Sequence, residues 1–211
     1  MSWNRRHAAR RALATAVTVC GAALLMALGA AAALASQFQA EKYPVKVKSE
    51  STESNNVFTV GSTKVECTTA KFESGSLSAA SEDIVVHPSY EKCTAFGFVG
   101  ATVNTTGCNY ELSTNGDVSV LCESGKAIEI EAGECTVTVK GQTGLKEVRY
   151  TNLAGPPKEV EVIDEVVKIA YSTNGALLCP AEGEKATYKG SNVAFGVNPS
   201  NEAEKIGIEV S

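Results

Sequence analysis

The residues of this chain best suited to specific chemistry are its cysteines, six of which follow residue 35. Structural zinc sites need ligands paired about two to four residues apart, and a redox-active dithiol also needs closely spaced cysteines. The sequence has no C-x-x-C motif, and His87 is the only histidine after residue 35. Three disulfide bonds are the remaining use for an even number of cysteines. The six are Cys67, Cys93, Cys108, Cys122, Cys135 and Cys179.

Two of these cysteines end the segment CNYELSTNGDVSVLC, residues 108–122, in which two alternating runs flank an Asn-Gly dipeptide. A two-residue loop at that dipeptide would scatter the apolar side chains over both faces of a hairpin. A three-residue loop over residues 114–116, with Gly116 in the left-handed conformation, collects them on one face. It also places Cys108 directly opposite Cys122, at about the spacing that a disulfide needs. We therefore predict a disulfide that staples this hairpin.

The remaining cysteines share the alternation of the apolar residues around them. Cys67 has the parity of Val65, and Cys135 has the parity of Val137. Cysteines in the inward register are expected to cross-link strands within the hydrophobic layer. Several connectivities are possible for six cysteines, and this register favours the sequential one. The predicted pairs are 67–93, 108–122 and 135–179.

Other residues with catalytic or metal-binding potential lack the partners that their chemistry needs. His87 precedes a proline and has only Ser89 close by in sequence, and there is no G-x-S-x-G motif, so an exposed strand-end histidine is expected. Glu129, Glu131 and Glu134 could bind calcium or act as a carboxylate pair in glycoside hydrolysis. Alternate glutamates are, however, typical of a solvated sheet face, and the EF-hand pattern is absent. We assign no catalytic, cofactor-binding or metal-binding residue.

The elements that carry these residues are predicted to be strands. Short runs rich in β-branched residues recur along the chain, separated by Gly, Asn, Ser or Pro, and a sustained helical period is absent. Regularly spaced alternating strands favour an all-β fold, either an antiparallel β-sandwich or a partly closed barrel with little helix. The runs are 63–67, 83–86, 118–122, 127–131, 135–139, 147–151, 158–163, 166–171 and 206–210.

Alternation within these runs assigns their faces. Val160 and Val162 are expected to point inward, while Glu159 and Glu161 point to solvent. The aromatic residues are few, and the only tryptophan is Trp3, which counts against a sugar-binding platform. Phe96 and Phe98 share one face and are expected to pack in the core.

The first 35 residues differ in kind from the rest. Four arginines precede a long Ala/Leu/Val stretch that ends in Ala33-Leu34-Ala35, and no acidic residue occurs before Glu41. This is the pattern of a signal peptide cleaved near Ala35, and an uncleaved membrane anchor is the alternative. We expect residues 36–56 to form a flexible polar arm and residues 57–211 a single β-rich domain. Two β lobes with a seam near residues 123–126 are the alternative organisation.

Several segments of the chain resemble a known group of proteins. They are similar to uncharacterised exported six-cysteine β-proteins of soil actinobacteria, of the Solirubrobacterales type. The resemblance implies a secreted, disulfide-bonded β-protein and brings no assigned activity, ligand or catalytic residue. It covers most of residues 60–195. The segments are VECTTAKFESGSLSAAS (65–81), VHPSYEKCTAFGFVGATVNTTGCNY (86–110), GECTVTVKGQTGLKEVRYTN (133–152), VVKIAY (166–171), LLCP (177–180) and ATYKGSNV (186–193).

The charge of the mature chain limits its partners. Without the four leader arginines, 15 basic residues face 24 acidic ones, a formal charge of −9. Such a chain repels phosphate backbones and anionic lipid, so neither nucleic-acid binding nor stable membrane insertion after cleavage is expected. We expect a secreted or cell-surface, non-enzymatic β-domain without cofactor, which acts as a structural, matrix or recognition module toward a cell-envelope or extracellular partner. A small-ligand or calcium-binding exported protein is the alternative.

Overall fold

The computed structural model describes residues 35–51, 56–175 and 179–211, and these residues form β-strands and no helix. The predicted leader, apart from Ala35, lies outside the described residues. The strands are β1 (Phe38–Ala40), β2 (Val45–Ser51), β3 (Asn56–Val60), β4 (Thr63–Leu77), β5 (Asp83–Ala95), β6 (Val99–Asn104), β7 (Cys108–Ser113), β8 (Asp117–Cys122), β9 (Ile128–Ala132), β10 (Cys135–Val139), β11 (Gln142–Lys146), β12 (Val148–Leu153), β13 (Glu159–Asn174), β14 (Gly183–Asn198), β15 (Asn201–Ile206) and β16 (Ile208–Val210).

Eight of the strands pair in a closed, antiparallel ring. The order is β5, β6, β9, β10, β13, β14, β2 and β4, and β4 pairs with β5 to complete the circuit. Strands β7, β8 and β11 extend from β5, while β12 pairs with β13. The predicted all-β, disulfide-bonded antiparallel fold is confirmed, and the closed pairing corresponds to its barrel alternative. A ring of about eight strands encloses a space that side chains can fill or that can hold one small ligand.

The inward positions of the ring form the core. Ile128, Ile130, Val137 and Val139 are all buried, as their alternation predicts, while Glu129 between the isoleucines is exposed. Each buried Val or Ile side chain contributes about 1.5–3 kcal/mol of hydrophobic stabilisation relative to an exposed one. A polar residue at an inward position is therefore an exception to the apolar composition of the core.

All three disulfides join the predicted pairs. Cys67–Cys93 links β4 to β5, and Cys108–Cys122 links β7 to β8, in both cases between directly paired residues. Cys135–Cys179 has Cα atoms 5.2 Å apart. The β7–β8 register is the predicted one, with Gly116 at φ 87° in the three-residue turn. The staple thus lies on the inward face of the hairpin.

The described part of residues 36–56 corrects the expectation of a loose arm. It contains β1, β2 and the first residue of β3, and β2 fills the ring between β4 and β14. Val45 is only 1% exposed. The inward set Val45, Val47, Ser49 and Ser51 follows the period of a strand, although its serines hide the pattern in a hydropathy scan.

The alternative domain organisation and one further expectation differ from the structure. Strands on either side of residues 123–126 pair with each other, since β6 pairs with β9 and β8 with β11, so the described residues have no seam there. Phe98 is 83% exposed and Phe96 36% exposed, because both lie at the tight β5–β6 turn rather than within a strand. The prediction of core packing for this pair is therefore wrong.

Candidate functional site

A mostly apolar cavity of about 100 Å³ lies inside the ring, and we call it the central cavity. Valine, isoleucine, phenylalanine and tyrosine side chains from several strands, among them β2, β5, β9, β13 and β14, make up most of its wall. Three buried polar side chains, Ser49, Asp164 and Asn192, interrupt this wall. Asp164 and Asn192 are the unusual ones, because burial of a carboxyl or amide costs free energy unless it is hydrogen-bonded.

Asp164 lies in the middle of β13 and is 7% exposed. It has the parity of Val160 and Val162, so the strand places its carboxyl inside the ring. Among the described residues its carboxyl has neither a hydrogen bond nor an ion pair. Burial raises the pKa of this carboxyl from 3.8 to about 7, because the charged form loses its hydration inside the wall. A neutral pH therefore leaves the group poised between its two protonation states.

Asn192 lies on β14, the strand beside Asp164. Within the antiparallel pair Asp164 faces Gly190, and Asn192 faces Val162, so Asp164 and Asn192 are diagonal neighbours on the inward face. Such diagonal positions are about 7–8 Å apart, and somewhat less between Cβ atoms. Asn192 is 4% exposed, and its Oδ1 is buried with no hydrogen-bond partner within the described structure. Two acceptor groups therefore lie close together in the wall of the central cavity.

Three tyrosines, on β7, β12 and β14, line the same cavity, and two of them donate their hydroxyl hydrogens to groups other than Asp164 and Asn192. Tyr188 donates to Asn56 Oδ1 at 2.9 Å, and Tyr150 donates to the Ser113 carbonyl at 3.1 Å. The hydroxyls of Tyr110 and Tyr90 bond to each other at 3.2 Å. Burial raises the pKa of all three cavity tyrosines, to about 12 at Tyr110, and the negative charge of Asp164 adds to the effect. The tyrosines therefore stay neutral and keep the hydrogen bonds to their partners.

A two-stranded ribbon borders one end of the central cavity. Strands β1 and β16 pair with each other, and Gln39, Ala40 and Glu209 from them line the cavity. Phe38 packs edge-on against Tyr150 with ring centres 5.2 Å apart. Gln39, Ala40 and Glu209 are partly exposed, in contrast to the buried Ile128 and Val139 of the wall. The ribbon is thus the side on which the cavity lies nearest to solvent.

This arrangement has room for a small apolar molecule. An apolar cavity of about 150 Å³ in a protein core can stay dry and take up benzene, so one of about 100 Å³ is on the scale of a small apolar molecule. Nucleophilic catalysis requires a nucleophile within hydrogen-bond reach of a base, and the buried acid Asp164 has no such neighbour among the described residues. The acceptors can instead orient a bound molecule.

The residues that the sequence singled out for catalysis or metal binding lie apart from the central cavity. His87 is exposed on the outer face of β5, and its Nδ1 hydrogen-bonds to the amide oxygen of Asn109. Glu129, Glu131 and Glu134 are exposed as well. Across the described residues there is no group of three or more His, Cys, Asp or Glu side chains that could hold a metal ion. The calcium alternative therefore has no site of this kind in the described chain.

Sequence reasoning missed Asp164 and Asn192. Asp164 falls in the break between the predicted runs 158–163 and 166–171, whereas β13 continues through it as one strand. The parity of Asp164 with Val160 and Val162 is the signal that could have found it, since an acid in an inward position of a continuous strand must be buried or strained. Asn192 lies in no predicted run, and its pairing across the ring is a tertiary feature.

No protein-family model, curated protein or solved structure matches the chain. The resemblance to the six-cysteine proteins of actinobacteria therefore stays a prediction. The three disulfides indicate an oxidising environment such as the outside of the cell. The described residues contain no helix that is long and apolar enough to cross a membrane.

Proposed function

We propose that the protein is an exported, non-enzymatic binding protein that holds a small apolar molecule in the central cavity. The observation that carries this proposal is the mostly apolar cavity of about 100 Å³ inside a closed ring of strands. Filling such a space with apolar atoms restores the dispersion contacts that its wall lacks. Export is supported by the signal-peptide pattern that ends near Ala35 and by the disulfides.

Toluene is a suitable probe for this proposal, because it is close to benzene in size and has no polar group. We expect saturable shifts of the methyl resonances of Ile128, Ile130 and Val139, which line the cavity, when the protein is titrated with toluene and followed by ¹H–¹³C NMR. Methyl groups on the outer surface should not shift. Absence of saturable shifts up to the solubility limit of toluene would overturn the proposal.

Substitutions at inward and outward positions of β14 test whether toluene binds inside the ring. Ala194 is 6% exposed and lines the cavity, so Ala194→Leu should fill the space and abolish toluene binding. Ala186→Leu changes a second lining position and provides the same test if Ala194→Leu does not fold. Val193 is 38% exposed on the opposite face, so Val193→Leu places the same leucine side chain outside the ring and should leave binding unchanged. Equal binding by all three variants would contradict a site inside the ring.

A surface recognition role is the second candidate function, and the exposed aromatic tip favours it. Phe98 is 83% exposed, and it lies beside Phe96 in the β5–β6 turn. Aromatic residues that lack cover in the monomer are common at contact sites with partners. Under this alternative, Phe98→Ser should lower the fraction of protein retained with the cell envelope, whereas Ala194→Leu should not. Retention that is unchanged by Phe98→Ser would leave this candidate without support.

A further inference from the structure

We infer that the molecule held in the central cavity is a small apolar primary amine, whose ammonium group lies between the Asp164 carboxyl and Asn192 Oδ1. This inference rests on the proposed function and names the class of ligand. Its first support is that both polar groups are acceptors that lack a partner among the described residues. Asp164 is 93% buried and Asn192 96% buried, as their exposures of 7% and 4% imply. Their missing interaction is therefore a hydrogen-bond donor that enters the cavity from outside the chain.

The hydroxyl groups of Tyr188 and Tyr150, which line the same cavity, do not supply it. The hydroxyl hydrogen of Tyr188 goes to Asn56, and that of Tyr150 goes to a backbone carbonyl. Tyr90 and Tyr110 share one hydrogen bond, which uses one of their two hydroxyl hydrogens. A ligand that offered only acceptors would add to the unsatisfied groups in the wall, and burial of such groups is unfavourable.

The charges around the cavity favour a cation. Its described lining contains no lysine or arginine, and the charged residues among the lining are Asp164 and Glu209. Glu209 lies at the ribbon and is already paired with Lys158 at 2.8 Å. Asp164 alone lacks a counter-charge. A buried carboxylate is tolerated when a cation pairs with it and hydrogen-bonds to it, so an ammonium group matches this position.

The spacing of the two acceptors selects an amine over an alcohol. Asp164 and Asn192 are diagonal neighbours on adjacent strands, at a Cβ separation of somewhat less than about 7–8 Å. An ammonium group carries three donors, each of which reaches an acceptor about 2.8 Å away, so one nitrogen can serve both side chains. A hydroxyl has a single donor and can serve only one of them. A carboxylic acid would place a like charge beside Asp164.

The volume of the cavity limits the size of the hydrocarbon part of the ligand. Its volume of about 100 Å³ has room for a body no larger than about one benzene ring. The residues around it are predominantly valine, isoleucine, leucine, phenylalanine and tyrosine, so the body must be apolar. A ligand of this class joins one ammonium group to a compact hydrocarbon.

Four probes of nearly equal size test the inference: toluene, benzyl alcohol, benzylamine and benzoate. We expect calorimetric titration at pH 8 to give benzylamine an affinity at least tenfold higher than toluene, with benzyl alcohol between them and benzoate weakest. Asp164→Asn should reduce the ratio of benzylamine to toluene affinity to within about twofold. Asp164→Leu repeats the test in case the asparagine variant does not fold.

Glu165→Gln provides the matched control, because Glu165 is the next residue on β13 and forms its ion pair with Arg149 at 2.7 Å outside the cavity. This variant should keep the full preference for benzylamine. Toluene and benzylamine binding with equal affinity would overturn the inference and leave the proposed function standing. A preference for benzoate, or a benzylamine preference that survives Asp164→Asn, would overturn the inference in the same way. Failure of all four probes to bind would overturn the proposed function as well.

Discussion

The β7–β8 hairpin and the β13–β14 pair belong to the same fold but use their inward positions in opposite ways. In the hairpin these positions carry Cys108 and Cys122, joined by a disulfide, and apolar residues such as Val118 and Val120. In the β13–β14 pair they include Asp164 and Asn192, which have no partners within the described residues. The first region adds stability, while the second places polar groups without partners in the core, which costs stability. The difference predicts where substitutions will destabilise the protein and where they will stabilise it.

The largest expected effect is the change with pH in the free energy of unfolding that the Asp164 carboxyl causes. Its carboxyl ionises near pH 3.8 in the unfolded chain and near pH 7 in the folded protein, so the folded state holds more protons between these values. The free energy of unfolding should therefore fall as pH rises from 4 to 8, by about 4 kcal/mol relative to Asp164→Asn. Urea denaturation of both proteins at four pH values measures the difference.

The comparison with Asp164→Asn is needed because other acids titrate in the opposite sense. The ammonium groups of Lys46 and Lys48 lower the pKa of Glu73, so that residue stabilises the fold as pH rises. Subtracting the variant from the wild type removes such contributions. Parallel curves for the two proteins would show that the Asp164 carboxyl is not buried as the structure places it.

Removal of the disulfides should have the next largest effects, ordered by the loops that they close. The sequence separations are 14 for Cys108–Cys122, 26 for Cys67–Cys93 and 44 for Cys135–Cys179. The loop-entropy relation gives losses of about 3, 3.5 and 4 kcal/mol respectively when each pair is replaced by alanine. Urea denaturation at one pH compares the three double variants. The reverse order would show that packing of the buried sulfurs outweighs loop length.

The turn of the hairpin should tolerate change less well than other turns with the same backbone. Gly116 has φ 87°, and a Cβ there would lie 2.8 Å from the Val148 carbonyl oxygen, so Gly116→Ala should cost about 2 kcal/mol. Gly133 has φ 60° and open space around it, so Gly133→Ala should cost about 1 kcal/mol from the backbone alone. Thermal unfolding of the two variants tests the difference, and equal losses would contradict the steric argument.

The sequence predicted the register and disulfide of the hairpin but did not predict the central cavity, and the reason is physical. The alternation in residues 108–122 is broken only at Leu121, and one register brings the other apolar residues and both cysteines to the inward face, so local pattern determines both turn and disulfide. Asp164 interrupts the apolar inward series of β13, and the pairing of β13 with β12 and β14 shows that the strand continues through it. Ring closure, which creates the central cavity, depends on contacts such as β2 with β14 that no local period encodes.

The last comparison is between two buried asparagines that differ in their hydrogen-bond partners. Asn56 is fully buried and accepts a hydrogen bond from the Tyr188 hydroxyl. Asn56→Leu would leave that hydroxyl without an acceptor and should lower the free energy of unfolding by about 1–3 kcal/mol. Asn192 Oδ1 accepts nothing from the described residues, so Asn192→Leu should raise the free energy of unfolding by about 1 kcal/mol. Urea denaturation of the two variants gives the signs directly. Opposite signs would mean that the polar group of Asn192 is retained for something other than stability, whereas a loss in both would show that the β13–β14 wall is as well satisfied as the hairpin.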